Sequence, residues 1–144
     1  MRIDRFEDIE AWKLARDLAR RVYRVTVAGG FRRDLGLTSQ IRNAAGSVMH
    51  NIAEGFDSAT NKEFVRFLVY ARRSCTEVQS QLYLALDAGH IGGDEFRDMY
   101  ARAGCARATV KGFIRYLERH QRGDVTATRN SERGTQNPEL QERR

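Results

Sequence analysis

Apolar residues recur at steps of three and four along four stretches of this chain, and nothing before residue 120 alternates strictly between apolar and polar positions. That is the period of a helix with one buried face, not of a strand. The first stretch predicts a helix from about Glu7 to Val27, with Ile9, Trp12, Ala15, Leu18, Ala19, Val22 and Val25 inward. Gly29 and Gly30 end it, because glycine takes the positive φ common at helix termini. A second helix runs from about Asp34 to Glu54 through Leu37, Ile41, Ala44, Ala45, Val48 and Ile52, with Gly55 as its stop. Thr60 and Glu63 form a capping box that opens a third helix. It reaches about Ala88, with Phe64, Phe67, Leu68, Ala71, Cys75, Val78, Leu82, Ala85 and Leu86 inward. Gly89 and the Gly92-Gly93 pair make the next turn, and Asp94 is the candidate cap of a fourth helix.

The fourth helix carries Phe96, Met99, Ala103, Ala106, Val110, Phe113 and Leu117 in alternating short steps, the seam of a left-handed bundle. Gly104 and Gly112 each cost a helix roughly 1 kcal/mol relative to alanine, so both point to close helix contacts. Four helices with short connections predict an all-α fold, an antiparallel up-and-down four-helix bundle over residues 1–120. From Gln121 onward apolar residues nearly vanish, and residues 121–144 are expected to form a disordered polar tail.

Composition narrows the functional classes. The chain has 144 residues, 41% hydrophobic and 31% charged, which suits one domain with a real core. No apolar run approaches the ~18 residues of a membrane span, and the N-terminus lacks the apolar region of a secretion signal. A cytoplasmic location without membrane attachment is therefore expected. Cys75 lies on an apolar stripe and is expected in the core; Cys105 has no neighbour that signals chemistry. The net charge of +6 favours polyanionic partners, though without specificity.

The second and third helices carry a second stripe beside the apolar one. Gln40, Asn43, Ser47, Asn51 and Glu54 recur on one, and Tyr70, Ser74, Glu77 and Gln81 on the other. Residues three and four apart share a helix face, so antiparallel neighbours would bring the stripes together. They fit an internal hydrogen-bond network that fixes register, or a subunit interface at which Ala44, Ala45, Gly46 and Ser47 admit another helix. Glu54 and Glu77 could do acid–base work only if their environments pushed their pKa values apart; no nucleophile, histidine or metal cluster accompanies them. A di-metal bundle would need Glu-x-x-His motifs, and none exists. No metal, cofactor or catalytic residue is expected.

Basic residues are also patterned. Lys13, Arg16, Arg20 and Arg24 line the first helix, Lys62, Arg66 and Arg73 the third, and Arg107, Lys111, Arg115 and Arg119 the fourth. Acids are sparse on the first helix past Asp17 and on the fourth between Asp98 and Glu118, so those two stretches are net positive. They are either solvated faces or a surface for phosphate backbones, whose contacts give affinity without sequence readout. No zinc finger, RNP-like motif or GxxG loop is present to read bases.

The chain resembles the small four-helix bundle proteins known as the S23 ribosomal, or 23S rRNA intervening-sequence, protein family. The match covers about residues 6 to 118, through Phe6-Glu7-Asp8-Ile9 with Trp12, the run from Gly36 to Gly55, Glu63-Phe64, Arg66-Phe67-Leu68, Ala71, Ser74, Glu77 and Leu82. Asn51-Ile52-Ala53-Glu54-Gly55 is its most specific element. The resemblance implies an antiparallel bundle that assembles into a ring, a homopentamer. It further implies kinship with accessory proteins of diversity-generating retroelements, in which a basic pentamer contacts a reverse transcriptase and nucleic acid. Two departures stand out. Phe56 is followed by Asp57-Ser58 where the family often has Gly-Arg, which weakens a phosphate contact in that loop, and Gly46 replaces a larger apolar residue.

The sequence thus points to a non-enzymatic homo-oligomer that binds structured RNA or DNA through basic helix faces, with a protein partner such as a reverse transcriptase. Arg16, Arg20, Arg24, Arg42 and Arg66 are the candidate nucleic-acid contacts, Arg42 and Arg66 being the basic positions matched to the family. Asn51, Glu54, Ser74 and Glu77 are assigned to a structural or interface network. The alternative is a protein-interaction scaffold with no nucleic-acid affinity.

Overall fold

A computed structural model describes residues 2–120; the predicted tail at 121–144 lies outside the described residues. A 3-10 turn at Phe6–Asp8 leads into α1 (Glu10–Thr26), followed by a short α2 (Gly29–Arg33), then α3 (Leu35–Phe56), α4 (Asn61–Asp87) and α5 (Gly93–Arg119). No strand occurs among the described residues. α1 packs on α3, α3 on α4, α4 on α5, and α5 back on α1. The four long helices therefore form an antiparallel up-and-down bundle, as the apolar periodicity requires.

Two buried clusters fill the interior. One gathers Trp12, Ile52, Phe56, Phe64 and Phe113 around the start of α1 and the end of α5. The other gathers Leu18, Val22, Phe31, Ile41, Leu82 and Met99 towards the opposite end. Phe64 stands edge-on to Phe113 at 5.3 Å and to Phe56 at 6.4 Å, an arrangement aromatic quadrupoles favour.

The expected helix stops do not hold: α1 ends at Thr26 with Val27 as its C-cap, ahead of Gly29 and Gly30, which open α2, and α3 runs through Gly55 to Phe56 with Asp57 as its C-cap. Asp34 accepts from the Leu37 amide at 3.1 Å and opens α3. Thr60 accepts from the Glu63 amide at 3.1 Å and opens α4. Asp94 is not the cap of α5: Gly92 is, and Asp94 sits in the first turn, where its carboxylate meets Arg97. Helix 1 also starts later than predicted, because Glu7 turns inward within the 3-10 segment and is buried.

Two core contributors fall outside the helical periodicity. Phe31, on α2, is fully buried and plugs the end of the bundle. Gly29 reverses the chain ahead of it with φ +56, and Thr38 Oγ1 donates to the Phe31 carbonyl at 2.9 Å, tying α2 to α3. His90, between α4 and α5, stacks on Phe31 at 5.1 Å and bonds to Asp34 at 2.9 Å. The two connections at that end are thereby locked together.

Candidate nucleic-acid interface

The seam between α1 and α3 is where the arginines gather. Arg16, Arg20, Tyr23 and Val27 recur at steps of four, three and four, so they share one flank of α1. That flank turns towards α3, because the Arg42 guanidinium lies over the Tyr23 ring at 4.6 Å. Arg42 Nε also donates to Thr26 Oγ1 at 2.9 Å, and Thr26 in turn donates to the Val22 carbonyl at 2.8 Å. Arg42 is thus pinned at one edge by a hydroxyl and across its plane by a ring. A guanidinium held this way loses less freedom on meeting a phosphate. Arg16 is steadied in a similar way over Trp12 at 5.7 Å. Arg20 is exposed and forms no ion pair among the described residues. The positions of α3 along this side are Leu35, Thr38, Arg42, Ala45, Met49 and Ala53, and none of them, nor Arg16, Arg20, Tyr23 or Val27 opposite, is a carboxylate; Asp57 lies one step beyond Ala53.

The seam between α1 and α5 is its electrostatic opposite. Arg102 reaches Asp17 at 2.9 Å and Asp98 at 3.0 Å, and Arg21 lies 3.4 Å from both carboxylates. Hydrogen bonding to Asp98 raises the Arg102 pKa above its ordinary value, with the nearby charges adding to the effect. Two cations and two anions here satisfy one another.

The five sequence-predicted arginines therefore divide. Arg16, Arg20 and Arg42 come together on the α1/α3 seam. Arg24 is exposed on the outward side of α1 and lines a small cavity of about 210 Å³ with Arg21, Glu95 and Asp98. Arg66 stands apart on α4, the helix diagonal to α1. It is 64% exposed, lies over Phe67 at 5.6 Å and sits 3.9 Å from Glu63. Tyr23 and Thr26, which position Arg42, were not singled out from the sequence. The signal was available: Tyr23 lies one turn beyond Arg20 on the arginine stripe.

The polar stripes of α3 and α4 do meet. Ser74 Oγ donates to Ser47 Oγ at 2.9 Å, and Asn51 Nδ2 donates to the Ser47 carbonyl and hydroxyl at 2.8 and 2.9 Å. Gln81 is buried, with its Nε2 3.4 Å from Glu77 Oε1, and its Oε1 has no partner among the described residues. Glu54 is exposed and bonds to no described residue. The Ser47–Ser74 contact places Glu54 opposite Phe67, ten residues from Glu77, or about 15 Å at the helical rise. The structure does not bring the two carboxylates together as a pair.

Other chemistry is sparse. No group of three or more metal-ligating side chains occurs among the described residues. A cavity of about 390 Å³ between the N-terminal segment and α5 is lined largely by Ile3, Ile9, Ala11, Phe113 and Tyr116, with Arg2 and Asp8 at its rim. Burial pushes the Cys75 thiol up to about 12, while Cys105 is exposed. No described helix is long and apolar enough to cross a membrane.

The fold and its seams define an antiparallel four-helix bundle with an arginine flank along α1 and α3. A family model, 23S rRNA-intervening sequence protein, matches residues 7–112, and the chain belongs to that family. Among solved structures, a protein of unknown function from the S23 ribosomal protein family of Bacteroides thetaiotaomicron shares the fold. It has a TM-score of 0.66 at 17% identity, covering 72% of this chain and 97% of its own. No curated protein sequence matches this chain.

Proposed function

We propose that this chain is a non-enzymatic, self-associating bundle that binds structured RNA through the α1/α3 seam. The observation that carries the proposal is Arg20 and Arg42, with Arg16 on the same flank, at seam positions that carry no carboxylate among the described residues, beside a seam whose arginines are neutralised. Phosphate contacts of this kind supply affinity and orientation, not base readout. Shape and charge, not sequence, would select the RNA.

Self-association draws support from the surface. Val27, Leu35 and Leu84 are 60%, 77% and 56% exposed, and all lie towards the end of the bundle capped by α2. Large aliphatic side chains left in water at one end suit burial against another chain.

Light-scattering mass, measured with and without a structured RNA at low and moderate salt, tests both parts. An oligomer that takes up RNA at low salt and releases it at moderate salt is the expected result. An oligomer that ignores RNA at both salts supports a protein scaffold instead, and a monomer contradicts self-association.

A further inference from the structure

The seam between α4 and α5 carries a pattern that the α1/α3 seam lacks. On α4, Arg72, Thr76, Gln79 and Tyr83 recur at helical steps; on α5, Phe96, Tyr100, Gly104, Arg107 and Lys111 do the same. Each set shares one face, and the two faces meet. The Tyr83 ring lies 4.8 Å from Phe96 and 5.8 Å from Tyr100. Gln79 Nε2 is 3.4 Å from the Tyr100 carbonyl, and a Cβ on Gly104 would come within 3.3 Å of that same amide nitrogen. The missing side chain at Gly104 makes room for the Gln79 amide, which lies across the seam there. Further on, Arg107 follows Gly104 by three residues and so continues the same face of α5.

The seam therefore has two zones. At one end is an aromatic cluster in which Tyr83 is still 51% exposed. At the other are Arg107 and Lys111, both exposed, and half-buried Arg72; none forms an ion pair among the described residues. Neither stripe holds a carboxylate between these ends, and Asp87 and Glu118 stand beyond them. Tyr83 and Arg72 are eleven residues apart on α4, about 16 Å along the axis, and two turns of α5 separate Tyr100 from Arg107, about 10 Å.

We infer that the α4/α5 seam is a groove for a single-stranded segment of nucleic acid, with an unpaired base stacked on Tyr83 and phosphates further along the strand on Arg72, Arg107 and Lys111. Aromatic platforms beside a basic track are how proteins hold single strands without reading sequence. The α1/α3 seam is less suited to this task, because Tyr23 already carries the Arg42 guanidinium on its ring. The inference rests on the nucleic-acid proposal above and adds a second surface with a different demand: it needs a base, whereas the α1/α3 seam needs only phosphates.

Fluorescence anisotropy with a short labelled RNA single strand, its abasic counterpart of equal length, and an RNA duplex tests it. The wild-type chain is expected to bind the base-containing strand at least several-fold more tightly than the abasic one. Tyr83→Ala is expected to weaken that strand by about 5- to 150-fold, the range spanned by one lost base–aromatic stack, and to leave the abasic strand and the duplex unchanged. Arg107→Glu is expected to weaken both single strands. Equal wild-type affinity for the base-containing and abasic strands overturns the groove, and needs no variant to fold. Duplex binding retained alongside that equality overturns the groove alone; loss of all binding at low salt overturns the nucleic-acid proposal with it.

Discussion

Asp34 does two things with one carboxylate. It caps α3 through the Leu37 amide and holds His90 at 2.9 Å. The His90 hydrogen bond and, after it, the amide bond lower the Asp34 pKa below the ordinary carboxylate range. A carboxylate whose folded pKa is depressed contributes stability above its unfolded pKa of about 3.9 and loses it as pH falls through the folded value. Asp34→Asn is therefore expected to remove part of the acid dependence of thermal stability below about pH 4. Melting curves from pH 2 to 7 on both proteins would test this, and parallel curves would contradict it. The thiols make a second contrast. With its pKa pushed up to about 12 by burial, Cys75 should stay unreactive in the native protein, while exposed Cys105 is open to reagent. Ellman's reagent at pH 8 is expected to find one thiol per chain before denaturation and two after. Two fast thiols in the native state would contradict the packing described around Cys75.

At the level of elements, two helical glycines separate what sequence patterns can and cannot say. Both Gly104 and Gly112 break the propensity of α5, and the sequence alone marks both as close contacts. Only Gly104 is one, against Gln79; a Cβ on Gly112 would meet nothing within 4 Å. Gly112→Ala is expected to stabilise the bundle by up to about 1 kcal/mol, the full propensity difference. Gly55 behaves oppositely. A Cβ there would lie 2.8 Å from the Phe64 ring and 2.9 Å from Phe67 Cβ. Gly55→Ala is expected to destabilise by about 1–3 kcal/mol, as overpacking outweighs propensity. Chemical denaturation of the two variants checks both signs together. The four long helices and the cap at Thr60 were legible, because periodicity and capping are local properties; the cap at Asp34 was not named from the sequence. α2 and its Phe31–His90 stack were not, since a five-residue helix shows no period and its contacts come from a distant loop.

For the whole molecule, the sequence showed which helices were basic but not which bases shared a surface. Arg16, Arg20, Arg24, Arg42 and Arg66 look equivalent along the chain. Packing sends three to the α1/α3 seam, turns Arg24 outward above the Arg21–Asp98 network and leaves Arg66 on the diagonal helix. The polar stripes on α3 and α4 were legible as a meeting, which Ser47 and Ser74 make, while the reach of Glu54 was not. The central claim is that the α1/α3 seam binds RNA by charge. Its most direct test is the slope of log affinity against log salt for a structured RNA, on the wild-type chain and on Arg20→Glu/Arg42→Glu with folding verified by circular dichroism. Each neutralised phosphate contributes about 0.9 to the slope for a duplex. The wild type is expected to fall with a slope of roughly −3 or steeper, and the variant to bind weakly with a slope shallower by about 2. A wild-type affinity indifferent to salt, or a variant with wild-type affinity and slope, would contradict the account.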